Sequence, residues 1–215
     1  MKYALKNAVI LDGTKDMEPL RGQSVLVEGE TIVGLAPAGS EPMGFEPVDL
    51  TGKYLMPGLF NMHVHLAGSG KPQKKQRDNE KLVKTIMGSG LTRAVAYSMV
   101  RGFARDELMS GVTTIRTMGG LGNFDSRLRD EIAAGRQAGP RILAANQGIS
   151  VPGGHMAGSV AIAARSIDEA LAHDIPVVLG NDVGCPWITQ YDFWRELYYF
   201  HKFVGVSNAF ALYTA

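Results

Sequence analysis

His63-Val64-His65 closes an apolar run, Leu59 to Leu66, that reads as a strand. Side chains two apart in a strand share a face. Two imidazoles side by side at the C-terminal end of a strand can share one divalent cation, because imidazole is a common zinc ligand. Ordinary strand histidines, in a core or at a surface, are the alternative reading. Asp182 ends a second apolar run, Val177 to Asn181. A carboxylate there would lie at the mouth where α/β sheets bind their ligands. An Asx turn or a helix cap before Val183-Gly184 accounts for it equally well. His155 follows Gly153-Gly154 in a glycine-rich stretch, as either a pocket-side or a solvated loop residue. His173 and His201 lie in helical segments and read as packing or surface residues. Cys185, before Pro186-Trp187, has no paired base in view and reads as buried structure. Gly119-Gly120-Leu121-Gly122 lacks the spacing of a dinucleotide fingerprint.

These residues need elements to position them. The first 57 residues read as short strands of a small antiparallel sheet. Tyr3 to Leu11 ends at Asp12-Gly13, and VLVEGETIVGL has the pattern of a hairpin. Ala36 to Pro47 is loop, and Val48 to Leu50 and Tyr54 to Met56 are two more short strands. The texture changes at Pro57-Gly58. Beyond the histidine strand, Gly68 to Glu80 reads as a solvated loop and Leu82 to Met109 carries helical spacing. A buried strand at Gly111 to Arg116, a helix from about Arg127 to Ala138 and a strand at Arg141 to Ala145 follow. Strands alternating with helices imply a parallel sheet with crossover helices. Ser166-Ile167-Asp168-Glu169 is a capping box. Its helix has room for only about two turns before Pro176, which is short for a crossover between parallel strands. Trp194 to Val204 reads as a final aromatic helix.

Composition sets the outer limits. The chain has 215 residues, with 22 Lys and Arg against 21 Asp and Glu, so no charge field draws it to nucleic acid or an acidic membrane. Hydrophobic residues make up 45% and charged residues 20%, which is globular composition and argues against wholesale disorder. One cysteine allows no disulfide framework. No signal-type leader and no run of about 20 apolar residues is visible, so a cytoplasmic protein is expected. A complete (β/α)8 barrel typically takes about 250 residues, more than are present.

Four segments together resemble a known family. LMPGLFNMHVHL closely resembles the Pro-Gly…His-x-His signature of the amidohydrolase superfamily. GVTTIRTMGG resembles its second barrel strand, and GPRILAANQGISVPGGH the third strand and loop of its imidazolonepropionase- and prolidase-like branch. PVVLGNDVG resembles the eighth strand, whose Asp is a metal ligand and proton carrier. The resemblance implies an α/β fold: an incomplete (β/α)8 barrel over residues 58–215, with residues 1–57 as an N-terminal β-sandwich segment. It implies His63, His65 and Asp182 as metal ligands, Asp182 also as the catalytic proton carrier, and His155 as a substrate-binding residue. The implied cofactor is a divalent metal, zinc above all, with one or two ions in intact relatives and at most one weakly bound ion here. The implied partner is a small amide, cyclic amide or dipeptide, hydrolysed at a C–N bond.

The chain also departs from that pattern. The bridging Lys of strand four and the histidines of strands five and six have no counterpart between Arg165 and Pro176. An internal deletion near Ala170 to His173 and a C-terminal truncation are therefore expected. A family member without activity, self-associating through exposed strand edges, is the alternative to an active hydrolase.

Overall fold

The computed structural model describes residues 1–72, 79–146, 180, 189 and 191–215. It divides into two compact units, Met1–Pro57 and Gly58–Ala215.

The first unit holds β1 (Lys2–Lys6), β2 (Val9–Ile10), β3 (Gln23–Glu28), β4 (Thr31–Pro37), β5 (Glu46–Asp49) and β6 (Tyr54–Leu55). One sheet has the order β4-β3-β1-β5, and β2 pairs with β6. The β3/β4 hairpin turns at Gly29, whose φ of 62° suits glycine. Ala4, Leu26 and Ala36 form its small core, with Phe45 packed against them.

Two expectations fail here. The sheet is mixed rather than antiparallel, since β1 runs parallel to β5 and β2 parallel to β6. The β3/β4 hairpin lies between β1 and β5 in the chain, and that long connection lets the later strand return in the same direction. The run Tyr3 to Leu11 is also broken. Asn7 takes a positive φ of 65°, and its side chain donates to Asp49 Oδ1 at 2.8 Å. A short amide side chain tolerates that backbone.

The second unit begins with β7 (Leu59–Val64), then α1 (Asn79–Met87), α2 (Gly90–Met109), β8 (Val112–Thr117), α3 (Phe124–Ala133) and β9 (Arg141–Leu143). After residue 191 come α4 (Phe193–Tyr199), a π-helical turn (Phe200–Val204) and α5 (Asn208–Tyr213). The sheet order is β7-β8-β9, all parallel. Parallel neighbours need crossovers, and here the helices supply them. Val64, Val112, Ile115 and Ile142 pack with Tyr97, Val100 and Ala104 of α2 and Leu128 of α3 in one core. Phe193, Phe200 and Ala211 join the same core. The Phe60 N–H donates to the Ala215 carbonyl, which ties the end of α5 to β7.

The helical boundaries differ from those the spacing implies. Leu82 to Met109 is two helices, because the Ser89 hydroxyl accepts the Thr92 N–H at 3.2 Å and starts α2 afresh. The third helix starts at Phe124 and stops before Gly135, whose φ is 69°. The aromatic helix changes to π geometry at Phe200, and α5 was not anticipated. The loop at Gly148 to Gly158, the capping-box helix and the junction near Ala170 lie outside the described residues. No helix among the described residues is long and apolar enough to cross a membrane.

Candidate functional site

The candidate site sits at the C-terminal ends of the parallel strands. β7 carries His63 near its end, and His65 follows the last strand residue. The strand is pinned from below by apolar burial: Leu59, Val64 and Leu66 lie in the core. Both histidines stay half-buried. Their rings are 5.4 Å apart between centroids and tilted by 58°. The structure therefore places the two imidazoles side by side, as alternation along a strand requires.

His65 is oriented by its neighbour strand. Its Nδ1 lies 3.0 Å from the Gly119 carbonyl oxygen, just beyond β8. A carbonyl can only accept, so Nδ1 carries the proton and donates. In the neutral ring Nε2 then keeps the lone pair, the form that binds a metal. His63 is held through its backbone: its N–H donates to Asn61 Oδ1 at 3.4 Å. Asn61 in turn donates from Nδ2 to Glu107 Oε2 at 3.4 Å. Asn61 and Glu107 are both fully buried. Burial pushes the Glu107 carboxyl up to about 8, with a smaller push from Asp106, while the Asn61 bond opposes it.

Asp125, near the start of α3, is also buried. Desolvation raises its pKa, against hydrogen bonds from Thr117 and the Asn146 backbone and the attraction of His65. Asn61, Glu107 and Asp125 were absent from the candidates read in the sequence. Only Asn61 carried a signal, its place two residues before His63 in the Pro-Gly…His-x-His segment.

Asp182, His155, His173 and Cys185 lie outside the described residues. Gly180 is described, and it lies against the histidine strand. A Cβ on Gly180 would come within 2.8 Å of the His63 backbone nitrogen and 2.9 Å of its Cβ. The chain two residues before Asp182 thus runs alongside His63, closely enough to require glycine there. His201 is exposed, and its Nδ1 lies 2.7 Å from the Val206 carbonyl oxygen, a local turn contact. Among the described residues no group of three or more His, Cys, Asp or Glu side chains converges as a metal site.

The amidohydrolase family model matches residues 54–184. The chain is 26% identical over 168 residues to the imidazolonepropionase of Paenarthrobacter aurescens (strain TC1), which covers 76% of this chain and 36% of that protein. It is 36% identical over 75 residues to the dihydroorotase of Bacillus pumilus (strain SAFR-032), covering 35% of this chain and 17% of that one. A crystal structure described as a "putative prolidase" from Bifidobacterium longum superposes with a TM-score of 0.71 at 21% identity, over 100% of this chain and 81% of that one.

The parallel strands, the helices between them and the paired histidines at the strand ends define an α/β protein with part of a barrel of amidohydrolase type. The chain belongs to the amidohydrolase family. It spans about a third of the length of the imidazolonepropionase it matches, and less of the dihydroorotase.

Proposed function

We propose that this protein is a metal-dependent hydrolase of a C–N bond in a small amide, cyclic amide or dipeptide, acting in the cytoplasm. The reading rests on one observation above all. His63 and His65 stand 5.4 Å apart between ring centroids, with the His65 Nδ1 proton already committed to Gly119. That donor set fits a divalent ion, zinc first, because it presents two imidazoles from one strand end. His63 and His65 would hold the ion together with Asp182. The closeness of Gly180 to His63 supports this, since Asp182 is only two residues further along.

An ion held there would supply Lewis acidity, lowering the pKa of water to about 7. Asp182 accepts the proton that the attacking water loses and returns it to the leaving nitrogen. The hydroxyl is added to the carbonyl carbon as the C–N bond breaks. His155 orients the substrate from its glycine-rich stretch. The Met1–Pro57 sheet is, in this reading, one part of a composite β-sandwich.

A second reading is a family member without activity. The sequence favours it at one point: it offers three ligand candidates where the resemblance implies about six. Zinc-loaded full-length chain, offered an N-acyl amino acid, a cyclic imide and a dipeptide, decides between the two. Zinc-dependent amine release or ring opening supports the hydrolase. Zinc bound with all three substrates untouched supports the inactive member.

A further inference from the structure

We propose that Asp125 and Asn146 are positioning residues for His65: with Thr117 they clamp the turn whose Gly119 carbonyl fixes the His65 tautomer. The inference rests on the reading of His65 as a metal ligand, but its geometry stands independently.

Gly119 lies in a turn between β8 and α3, and three elements hold that turn. From β7, the Val64 carbonyl accepts the Met118 N–H at 2.9 Å. From beyond β9, the Asn146 carbonyl accepts the Gly120 N–H at 2.6 Å. From α3, the Asp125 carboxylate lies directly over Gly120, where an added Cβ would meet Oδ1 at 2.7 Å and Oδ2 at 2.9 Å. Only glycine leaves room for the carboxylate there.

The clamp is cross-linked. The Asp125 carboxyl faces the Thr117 hydroxyl and the Asn146 N–H, both of which oppose the rise in its pKa. Thr117 Oγ1 accepts the Ala145 N–H at 2.9 Å. Asn146 Oδ1 accepts the Ser126 N–H at 3.0 Å, which ties it back to the first turn of α3. Asn146 adopts a φ of 61°, a left-handed conformation that aims its N–H and carbonyl at Asp125 and Gly120. Asp125 is 1% exposed and Thr117 is fully buried. A carboxylate buried this deeply is costly unless hydrogen bonds satisfy it. Asp125 Oδ2 has no hydrogen-bond partner among the described residues, and the groups that face the carboxyl belong to the residues packed around Gly119.

The consequence falls on His65. With Gly119 fixed, its carbonyl stays 3.0 Å from Nδ1 and the Nδ1–H tautomer is selected. If the turn relaxes, the selection goes. His63 is held through Asn61 instead, so it should not respond.

The test uses the full chain, metal-free, with 15N-labelled histidine. The spectra are recorded at about pH 8.5, well above the ordinary imidazole range. Long-range 1H–15N correlation then reports each tautomer. Wild-type His65 should be in the Nδ1–H form. Asn146→Gly keeps the left-handed backbone but loses the bond to Ser126, and Asp125→Ala removes the carboxylate. Both should shift His65 toward the Nε2–H form and leave His63 unchanged, and Asp125→Asn, which keeps one acceptor oxygen, should fall between. Zinc affinity should drop about 10–100-fold in Asn146→Gly and Asp125→Ala. A wild-type His65 in the Nε2–H form overturns the proposal. So does a tautomer untouched in Asn146→Gly, the variant least prone to misfolding. Wild type that binds no zinc while the tautomers shift as stated upholds the clamp and sinks the metal reading instead.

Discussion

Asn61 donates to the Glu107 carboxylate at 3.4 Å, and both side chains are fully buried. The contact joins the last turn of α2 to the middle of the histidine strand. Glu107 Oε1 has no hydrogen-bond partner among the described residues. A half-satisfied buried carboxyl is stable only while it keeps its proton, and its value of about 8 says the same.

Stability should therefore depend on pH through Glu107. The folded chain holds this proton up to about pH 8, while the unfolded chain releases it near 4.5. Between those values the folded state binds more protons, so stability falls as pH rises from 4.5 to 8. The loss is on the order of 5 kcal/mol at most. Glu107→Gln cannot ionise and should lose that slope. Urea melts of both proteins across this range check it. Parallel slopes would assign the pH dependence to other groups.

His63→Ala with His65→Ala should abolish zinc binding without unfolding the metal-free chain. Both rings are half-buried, and the double substitution removes the hydrogen bond from His65 Nδ1 to the Gly119 carbonyl. Such a bond contributes about 0.5–1.5 kcal/mol net. The melting temperature of the metal-free variant should fall by only a few degrees. A large drop relative to metal-free wild type would mark the histidines as core residues.

Metal content after dialysis should be at most about one zinc per chain, since a tetrahedral site typically takes three protein ligands and a water. Two tightly held ions would show ligands beyond His63, His65 and Asp182. Any hydrolysis should fall about 10²–10⁴-fold in Asp182→Asn, because an amide cannot take up the water's proton. Full activity in that variant would leave Asp182 as a turn residue.

What the sequence disclosed followed from local chemistry. β7, β8 and β9 were legible because a buried parallel strand needs an apolar run bounded by turn residues, and 59–66, 111–116 and 141–145 have that form. The shared face of His63 and His65 was legible because alternation is a property of the backbone. Strand direction is not local, so the parallel pairing of β1 with β5 was missed. The break before α2 was missed because apolar spacing continues across Ser89, and only its hydroxyl hydrogen bond reveals a new start. Asp125 reads in sequence as an ordinary acid just ahead of a helix. Its role emerges only when Thr117, Gly120 and Asn146, from different elements, are brought around it.

The isolated chain should self-associate. α4 and the turn after it bury Phe193 and Phe200 in the core but leave Trp194, Tyr198, Tyr199 and Phe203 at 53, 50, 43 and 68% exposure. Three of these form a continuous patch, with ring centroids 5.5 Å apart for Tyr198 and Tyr199 and 5.7 Å for Tyr199 and Phe203. Lys202 lies over the Tyr198 and Phe203 rings at 5.3 and 5.4 Å, a geometry that covers little of their area. Among the described residues, β9 pairs with β8 alone, and parallel strands are normally flanked on both sides. Burying a large apolar side chain is worth about 1.5–3 kcal/mol. A few of them together are comparable with a domain's net stability of about 5–15 kcal/mol. Pairing of two copies through this face recovers that burial. Light scattering behind size exclusion should then give a mass above 23.2 kDa, falling toward it on dilution and in Trp194→Glu with Phe203→Glu. A sharp 23.2 kDa peak for the wild type, with cooperative melting and strong near-UV dichroism, would mean that the aromatic face is stable in water and that no second copy covers it.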